Sequence, residues 1–362
     1  MSLETASDSA EYTVRRFEPG DRDGVLSLLE TQWDERPSAD WFDWKYREDP
    51  YLAHVPITLA EREGDVVAVQ GYLPCPIRWG TQVVRALKPV DAVVHPDHRR
   101  QGLYTRITEA AIDYYTDGEP AFFFNFPNAA SLAAQEKLGW HEVDVVSTFH
   151  RVQRPGELLP SDGTMLPLDR AADGLARAYL GVRDRLSTPS DWFEVTRHSS
   201  VPADVLESIY ESHVPRELHT HREKRLYRWL LDAPGHDHTA YVARHDDRPV
   251  ASIVTRTVDG RMVDIVDALP MQDGHEAFET LLAAVVTDNV DAAVLSTAGR
   301  TLPRELLSRF GFVSFETALL SRLRTPTYMA VRPLWQDEAT SLSRRPLTEP
   351  ANWRLSFLEV KD

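Results

Sequence analysis

Residues 95–107 read HPDHRRQGLYTRI, and their types and spacing suit the capture of an anion. The run VDAVV before them has the character of a strand, and LYTRITEAAIDYY after them that of an amphipathic helix. A strand that breaks into a turn and passes at once into a helix leaves several backbone N–H groups unpaired. These point, with the helix dipole, toward one spot. Gly102 allows close approach to that backbone, since it has no side chain to fill the space. Arg99 and Arg100 add charge in the planar form that grips phosphate oxygens two at a time, and Thr105 adds a hydroxyl in the first helical turn. The stretch predicts a pyrophosphate cradle; the alternative is a surface turn with solvated arginines.

Other groups suit proton transfer. Asp91 and His95 flank the end of the strand, and an imidazole titrating near neutrality suits the deprotonation of an amine. Strand alternation sets Asp91 on the face opposite Val90 and Ala92, so only one set can face a cleft. Buried or capping roles are the alternative for both. The run DWFDWKYREDPY, residues 40–51, either lines a cleft or packs Trp41, Trp44 and Tyr46 into a core as one helix face. The histidines of HVPRELHTH, with His236 and His238, lack cysteine partners and an H-E-x-x-H spacing, and are expected in solvent rather than on a metal. The single cysteine, Cys75, lies between two prolines and can form neither an internal disulfide nor a thiolate cluster.

The elements that must position these groups occur twice. YTVRRF followed by EPGDRDGVLSLLETQW is echoed by FEVTRHSSVPADVLESIYESH: strand, turn, helix. VVAVQGYLPCPIRW with VVRALKPVDAVVHP is echoed by RPVASIVTRTV with GRMVDIVDALP, each a strand pair. QEKLGWHEVDVVSTFHRV is echoed by LSRFGFVSFETALLSRL. The chain therefore divides into a polar, disordered lead-in at 1–11, an α/β domain at 12–155, a linker with a helix at 156–190, a second α/β domain at 191–325 and a tail at 326–362. In the tail, ANWRLSFLEV is expected to return as a strand.

Composition narrows the function. Forty Lys and Arg against 56 Asp and Glu give a formal charge of −16, which disfavours nucleic acid and anionic membrane as partners. Only five of the 40 basic residues are lysine, a weakly halophile-like composition. No apolar run approaches the roughly 18 residues that span a bilayer. With no secretion signal in MSLETASDSAEY and one cysteine, a cytoplasmic location is expected.

Taken together, V-H-P-x-x-R, then Arg99, Gly102 and Tyr104 in RRQGLY, then the asparagine-led NAASLAAQEKLGW, resemble the GCN5-related N-acetyltransferase (GNAT) superfamily over residues 12–150. The resemblance implies two tandem GNAT-like acyl-CoA N-acyltransferase domains, each a mixed twisted sheet flanked by helices. It implies acetyl-CoA as co-substrate, no metal, and a small-molecule or peptide amine as acceptor, with oligomeric state left open. Carried over by position, Val93 and Val94 would pair with the pantetheine arm through their backbones. Arg99, Arg100, Gln101, Gly102, Leu103, Tyr104 and Thr105 would surround the pyrophosphate, and Asn128 and Ser131 would lie near the pantetheine or acetyl end.

Two departures matter. The small residue closing the signature is Tyr104, and the tyrosine that protonates the departing thiolate in the family is replaced by Gln135, so Tyr104 or a water must supply that proton. Candidate catalytic groups are thus Asp91, His95 and Tyr104. In enhanced-intracellular-survival-type relatives a terminal carboxylate, here that of Asp362, enters the site, although those proteins carry a further C-terminal domain. The second copy has no arginine turn: Asp273 and Glu276 stand where phosphates need positive charge, so it is expected to complete the acceptor pocket rather than bind CoA. Alternatives are a non-catalytic CoA-binding or sensing protein and a FemAB-like aminoacyl transferase.

Overall fold

The computed structural model describes residues 12–33, 35–116, 118–158, 166–187, 189–272, 276–314, 326–335 and 347–360. The N-terminal unit contains strands β1 (Thr13–Arg16), β2 (Ile57–Arg62), β3 (Asp65–Trp79), β4 (Gln82–Val94), β5 (Phe122–Asn125), β6 (His141–Val145) and β7 (Thr148–Val152). Its helices are α1 (Arg22–Trp33), α2 (Ala39–Phe42), α3 (Leu103–Tyr115) and α4 (Ala129–Glu136), with a π-helical turn at Asp43–Arg47. Helix α5 (Leu166–Leu186) leads to β8 (Glu194–His198), α6 (Ala203–Ser212), β9 (His219–Thr220), α7 (Lys224–Leu230), β10 (Asp237–His245), β11 (Arg248–Val258) and β12 (Met262–Leu269). Then come α8 (Ala277–Asp288), β13 (Val294–Ala298), α9 (Arg304–Arg309), β14 (Val313–Ser314), β15 (Tyr328–Pro333) and the short α10 (Phe357–Val360).

The strands form two mixed sheets, ordered β1-β2-β3-β4-β5-β15-β6, with β9 beside β3, and β14-β7-β13-β12-β11-β10-β8. The units exchange strands. β7 follows β6 in sequence but pairs with β13 and β14 of the second sheet, while β15 inserts between β5 and β6 of the first. His150 of β7 hydrogen-bonds Ser296 of β13 at 2.9 Å, a buried polar contact that the exchange creates.

Helices α3 and α4 cover one face of the first sheet, where Leu87 and Phe123 pack against Ile112, Tyr115, Leu132 and Trp140. Its other face takes α1, α2 and the π-turn, joined by Leu226 and Trp229 of α7. Between the sheets, Ile77, Ala86 and Phe122 share one core with Leu206, Val254, Val266 and Trp353. Burying that surface stabilises the pair of units together, since neither set of side chains is covered without the other.

The expected strand over ANWRLSFLEV is not formed. Residues Pro350–Asn352 make a 3-10 turn and Phe357–Val360 a helix. The cause is a capping box: Ser356 Oγ accepts from Leu358 N at 3.1 Å, and Glu359 Oε2 accepts from Ser356 N at 2.8 Å. The strand that returns to the first sheet is β15 instead.

Candidate functional site

β4 and β5 run parallel but pair only at Ala86↔Phe122 and Leu87↔Phe123. From Lys88 onward β4 stays paired to β3, while its other edge has no strand partner among the described residues. The gap opens toward the turn before α3. Along it, Val93 pairs with Val69 and Val94 with Ala68. The Val94 carbonyl accepts from Arg99 Nε at 3.1 Å, and Arg99 Nη2 reaches Gln32 at 3.1 Å. Arg99 thus folds along the strand edge rather than over the turn.

The turn has the backbone that an amide cradle needs. Gly102 is the N-cap of α3 at φ +73°, and Arg100 also takes a left-handed φ of +64°. A Cβ built on Gly102 meets nothing within 4 Å, so the space beside the helix N-terminus is open. Arg100, Gln101 and Thr105 are exposed, whereas Leu103 is buried and anchors the helix. Gln101 is tied to the Tyr12 hydroxyl at 2.8 Å, which also bonds His98. His95, the other residue of this turn considered as a base, accepts from Asp97 N through Nδ1 and caps the 3-10 turn Pro96–His98.

Asp91 occupies a bulge in β4 at φ +52°. Its carboxylate is almost wholly buried, 2.9 Å from Lys45 Nζ and hydrogen-bonded by the Tyr46 hydroxyl. The wide π-turn brings the consecutive Lys45 and Tyr46 to the same carboxylate, which an α-helix would not do. Gly71 is required opposite, because a Cβ there would overlap the Tyr46 hydroxyl. Trp41 and Trp44 are half-buried around this cluster, and Phe42 and Tyr46 are core residues.

In the first turn of α3, Tyr104 directs its ring toward α4, where Gln135 Nε2 lies 3.4 Å from the hydroxyl. Gln135 Oε1 and, at the end of β5, Asn125 Oδ1 are buried polar atoms without a hydrogen-bond partner. Such orphaned acceptors cost free energy unless something donates to them. Asn128 accepts from Ser131 N at 2.9 Å as the N-cap of α4, and both residues are exposed. The open strand edge, the vacant space at Gly102 and the two orphaned acceptors fit an extended ligand carrying both phosphates and amide donors, as acetyl-CoA is.

A cleft with about 50 Å³ of cavity volume lies between the two units. Lys88 lines it from β4 and Val266 from β12. Lys88 follows the last β4 residue paired to β5, and Val266 follows Ile265, the last β12 residue paired to β13. The cleft therefore touches the point where parallel strands part in each sheet. Trp44, Trp229 and Phe357 supply aromatic walls, and Cys75 adds its thiol.

The histidines were expected in solvent, but only His213 is exposed: His221 and His236 are half-buried, and His219 and His238 are buried. His238 lines the cleft, is 8% exposed and has an unpartnered Nδ1; its pKa is pulled down to about 4 by burial and then by Arg256. His219 is wholly buried, between the Tyr210 hydroxyl at 2.9 Å and the Glu217 carbonyl at 2.6 Å, which satisfies both ring nitrogens of the neutral form. Strand alternation at His238 was a signal available in the sequence; His219, in a two-residue strand buried at both positions, offered none.

In the second sheet the matching gap is filled by the chain itself. Arg300 N donates to Leu355 O at 3.2 Å, and a Cβ on Gly299 would overlap that carbonyl. The segment is held by Arg222, wholly buried, which pairs with Asp267 of β12 at 3.2 Å and with Glu359 of α10. Glu359 in turn offers its carbonyl to Lys88 Nζ at 3.1 Å, joining this segment to β4. Glu276 begins α8, while Asp273 and Asp362 lie outside the described residues.

Parallel strands that part beside a glycine-led helix N-terminus, as in the first unit, are the mark of the acyl-CoA N-acyltransferase fold; in the second unit the parallel strands part likewise, but α8 is led by Glu276. Residues 13–143 match the model of the Acetyltransferase (GNAT) domain family. Solved structures of similar fold include GCN5-related N-acetyltransferases from Kribbella flavida (TM-score 0.57, 14% identity, 89% of this chain and 71% of that one) and Anabaena variabilis (0.61, 11%, 90% and 73%). A tandem GNAT protein from the clavulanic acid biosynthesis pathway aligns over 90% of this chain and its own full length, at a TM-score of 0.56 and 12% identity. No curated protein matches the sequence significantly. The tandem architecture thus agrees with the duplicated pattern in the sequence.

Proposed function

We propose that the N-terminal domain transfers an acetyl group from acetyl-CoA to an amine held in the cleft between the units. The observation that carries this reading is the parting of β4 from β5 after Leu87, with the open Gly102 turn at one end of the gap and the cleft at the other. The amide-rich turn receives the pyrophosphate, assisted by Arg100 and, once it swings from Val94, by Arg99. Residues 88–94 and Asn125 receive the pantetheine amides.

In the transfer, the lone pair of a neutral amine attacks the thioester carbonyl carbon. A C–N bond forms, the C–S bond breaks, and sulfur leaves with the electron pair. Tyr104 gives this thiolate its proton, and the nitrogen sheds its extra proton to solvent. Asp91 is assigned to hold the bulge through Lys45 and Tyr46, and His95 to cap the turn. A strand rises about 3.3 Å per residue, so His95 is on the order of 20 Å from Lys88 and belongs to the phosphate end.

Free thiol released from acetyl-CoA, followed across a panel of amines, tests the proposal. Amine-dependent release is expected. A protein that saturates with CoA but transfers to no amine would instead be a CoA-binding or sensing protein, a reading favoured by the amide of Gln135 at the family's acid position and by the pairing of Asp91 with Lys45.

A further inference from the structure

The wall of the cleft between the units is chemically one-sided. Lys88 and Arg256 line it together with His236 and His238, and no aspartate or glutamate lines it among the described residues. That is unexpected in a chain with 56 acidic side chains and a formal charge of −16. The remaining surface is apolar and aromatic, with Trp44 and Trp229 on one side and Phe357 on another.

The polar wall is built into the second sheet. His238 of β10 is the cross-strand partner of Arg256 of β11, which is the partner of Asp264 of β12. Arg256 is 8% exposed and is paired on the same face of the sheet with Asp264, 3.5 Å from its Nη2, a carboxylate that does not itself line the cleft. His236 meets His238 ring to ring at 6.3 Å. Burial and Arg256 hold His238 neutral at physiological pH, so it presents hydrogen-bonding nitrogen without a second full charge.

On the acetyltransferase reading above, we infer that the acceptor is a small amine with an apolar or aromatic body and a carboxylate, the carboxylate facing Arg256 and His238 and the amine facing the parting of β4 and β5. An anion entering a low-dielectric cleft without carboxylates meets attraction that water would screen, and a polyamine meets repulsion. Lys88 then has a second effect. A fixed cation beside the acceptor nitrogen disfavours its ammonium form, so the nitrogen keeps the lone pair that attack requires. This accounts for a site whose Asp91 is committed elsewhere.

The test uses the unmodified protein and two probes of matched shape, 3-phenylpropanoate and 3-phenylpropylamine, with spermidine as a third. Their binding is followed by calorimetry. The carboxylate is expected to bind at least tenfold more tightly than the ammonium probe, and Arg256→Met to remove most of that difference, with Arg256→Lys restoring part. Equal affinity for the two probes, or tighter binding of spermidine, overturns the inference without any variant having to fold. Transfer is scored separately, comparing phenylalanine with phenethylamine: a KM at least tenfold lower for the amino acid is expected. Carboxylate preference without transfer to any amine leaves the cleft assignment standing and sinks the acetyltransferase reading, whereas transfer without that preference does the reverse.

Discussion

Trp44 and Trp229 each donate the indole N–H to the other's backbone carbonyl, at 2.7 and 2.8 Å. One belongs to the π-turn of the first unit and the other to α7 of the second, so this reciprocal pair latches the two units beside the cleft that both residues line. Removing one donor leaves a half-buried carbonyl unpaired, worth about 1–3 kcal/mol. Trp229→Phe should lower the urea midpoint by a corresponding amount and raise the KM for the acceptor severalfold, with the dissociation constant of CoA unchanged. A parallel loss of CoA affinity would show that the latch acts on the first domain alone.

The pairing of Lys45 with Asp91 predicts a different effect. Both side chains are almost completely buried, and Asp91 holds a left-handed bulge that few residues adopt without support. Lys45→Met should therefore destabilise the fold by about 3–5 kcal/mol, since an uncompensated carboxylate stays behind. The double variant Lys45→Met, Asp91→Asn should recover part of that loss in denaturant unfolding. If Asp91→Asn instead leaves stability untouched and abolishes turnover, the aspartate is acting as a base.

At the turn, Gly102→Asp combines a strained φ with a carboxylate against the pyrophosphate. Repulsion together with lost space should weaken CoA binding by several kcal/mol, on the order of a thousandfold. Calorimetric titration of the folded variant with CoA reads this directly, and unchanged affinity would remove the turn from the site.

Much of this was legible in the sequence because it is local. The Gly102 turn, the apolar spacing of Leu103, Ile107 and Ala111, and the Asn128 cap are set within a few residues, and the structure forms them as read. Pairing partners are not local. Nothing in STFHRV says that β7 leaves its own sheet for β13, because alternation specifies which face is buried but not which neighbour lies alongside. The tail misled for a related reason: its alternating apolar residues suit a strand, but Ser356 and Glu359 close a capping box, a signal present in the letters and outweighed by the alternation. The cleft was beyond reach, since Lys88, His238 and Arg256 meet only after both sheets and α7 are assembled.

Stability should fall on mild acidification. The folded pKa values of His219 and His238 are both lowered to about 4, chiefly by burial, against an ordinary 6.5. For a depressed histidine the stabilising contribution is fully present above the unfolded value and is lost as pH falls through the folded one. The window is therefore pH 6.5 down to 4, with roughly 3 kcal/mol at stake per group. Glu359, whose pKa Arg222 holds down against its burial, contributes in the same direction. Urea unfolding at pH 7.5, 5.5 and 4.5 should show a steady decline, and His238→Leu should flatten it. A flat profile across that range would mean that these rings are already charged in the folded chain.

The contact between Tyr104 and Gln135 makes the sharpest demand on the chemistry. An amide is a very poor acid, so Gln135 cannot protonate a thiolate, yet its Nε2 donates to the Tyr104 hydroxyl at 3.4 Å. If the phenol of α3 has taken over that role, Tyr104→Phe should keep the fold and the affinity for CoA but lower turnover about a hundredfold. Gln135→Ala should cost only a fewfold, because it loosens the ring without removing the proton. The variant Tyr104→Phe, Gln135→Tyr should regain activity by restoring a phenol from α4. Turnover by Tyr104→Phe at the parent rate would assign the proton to water instead.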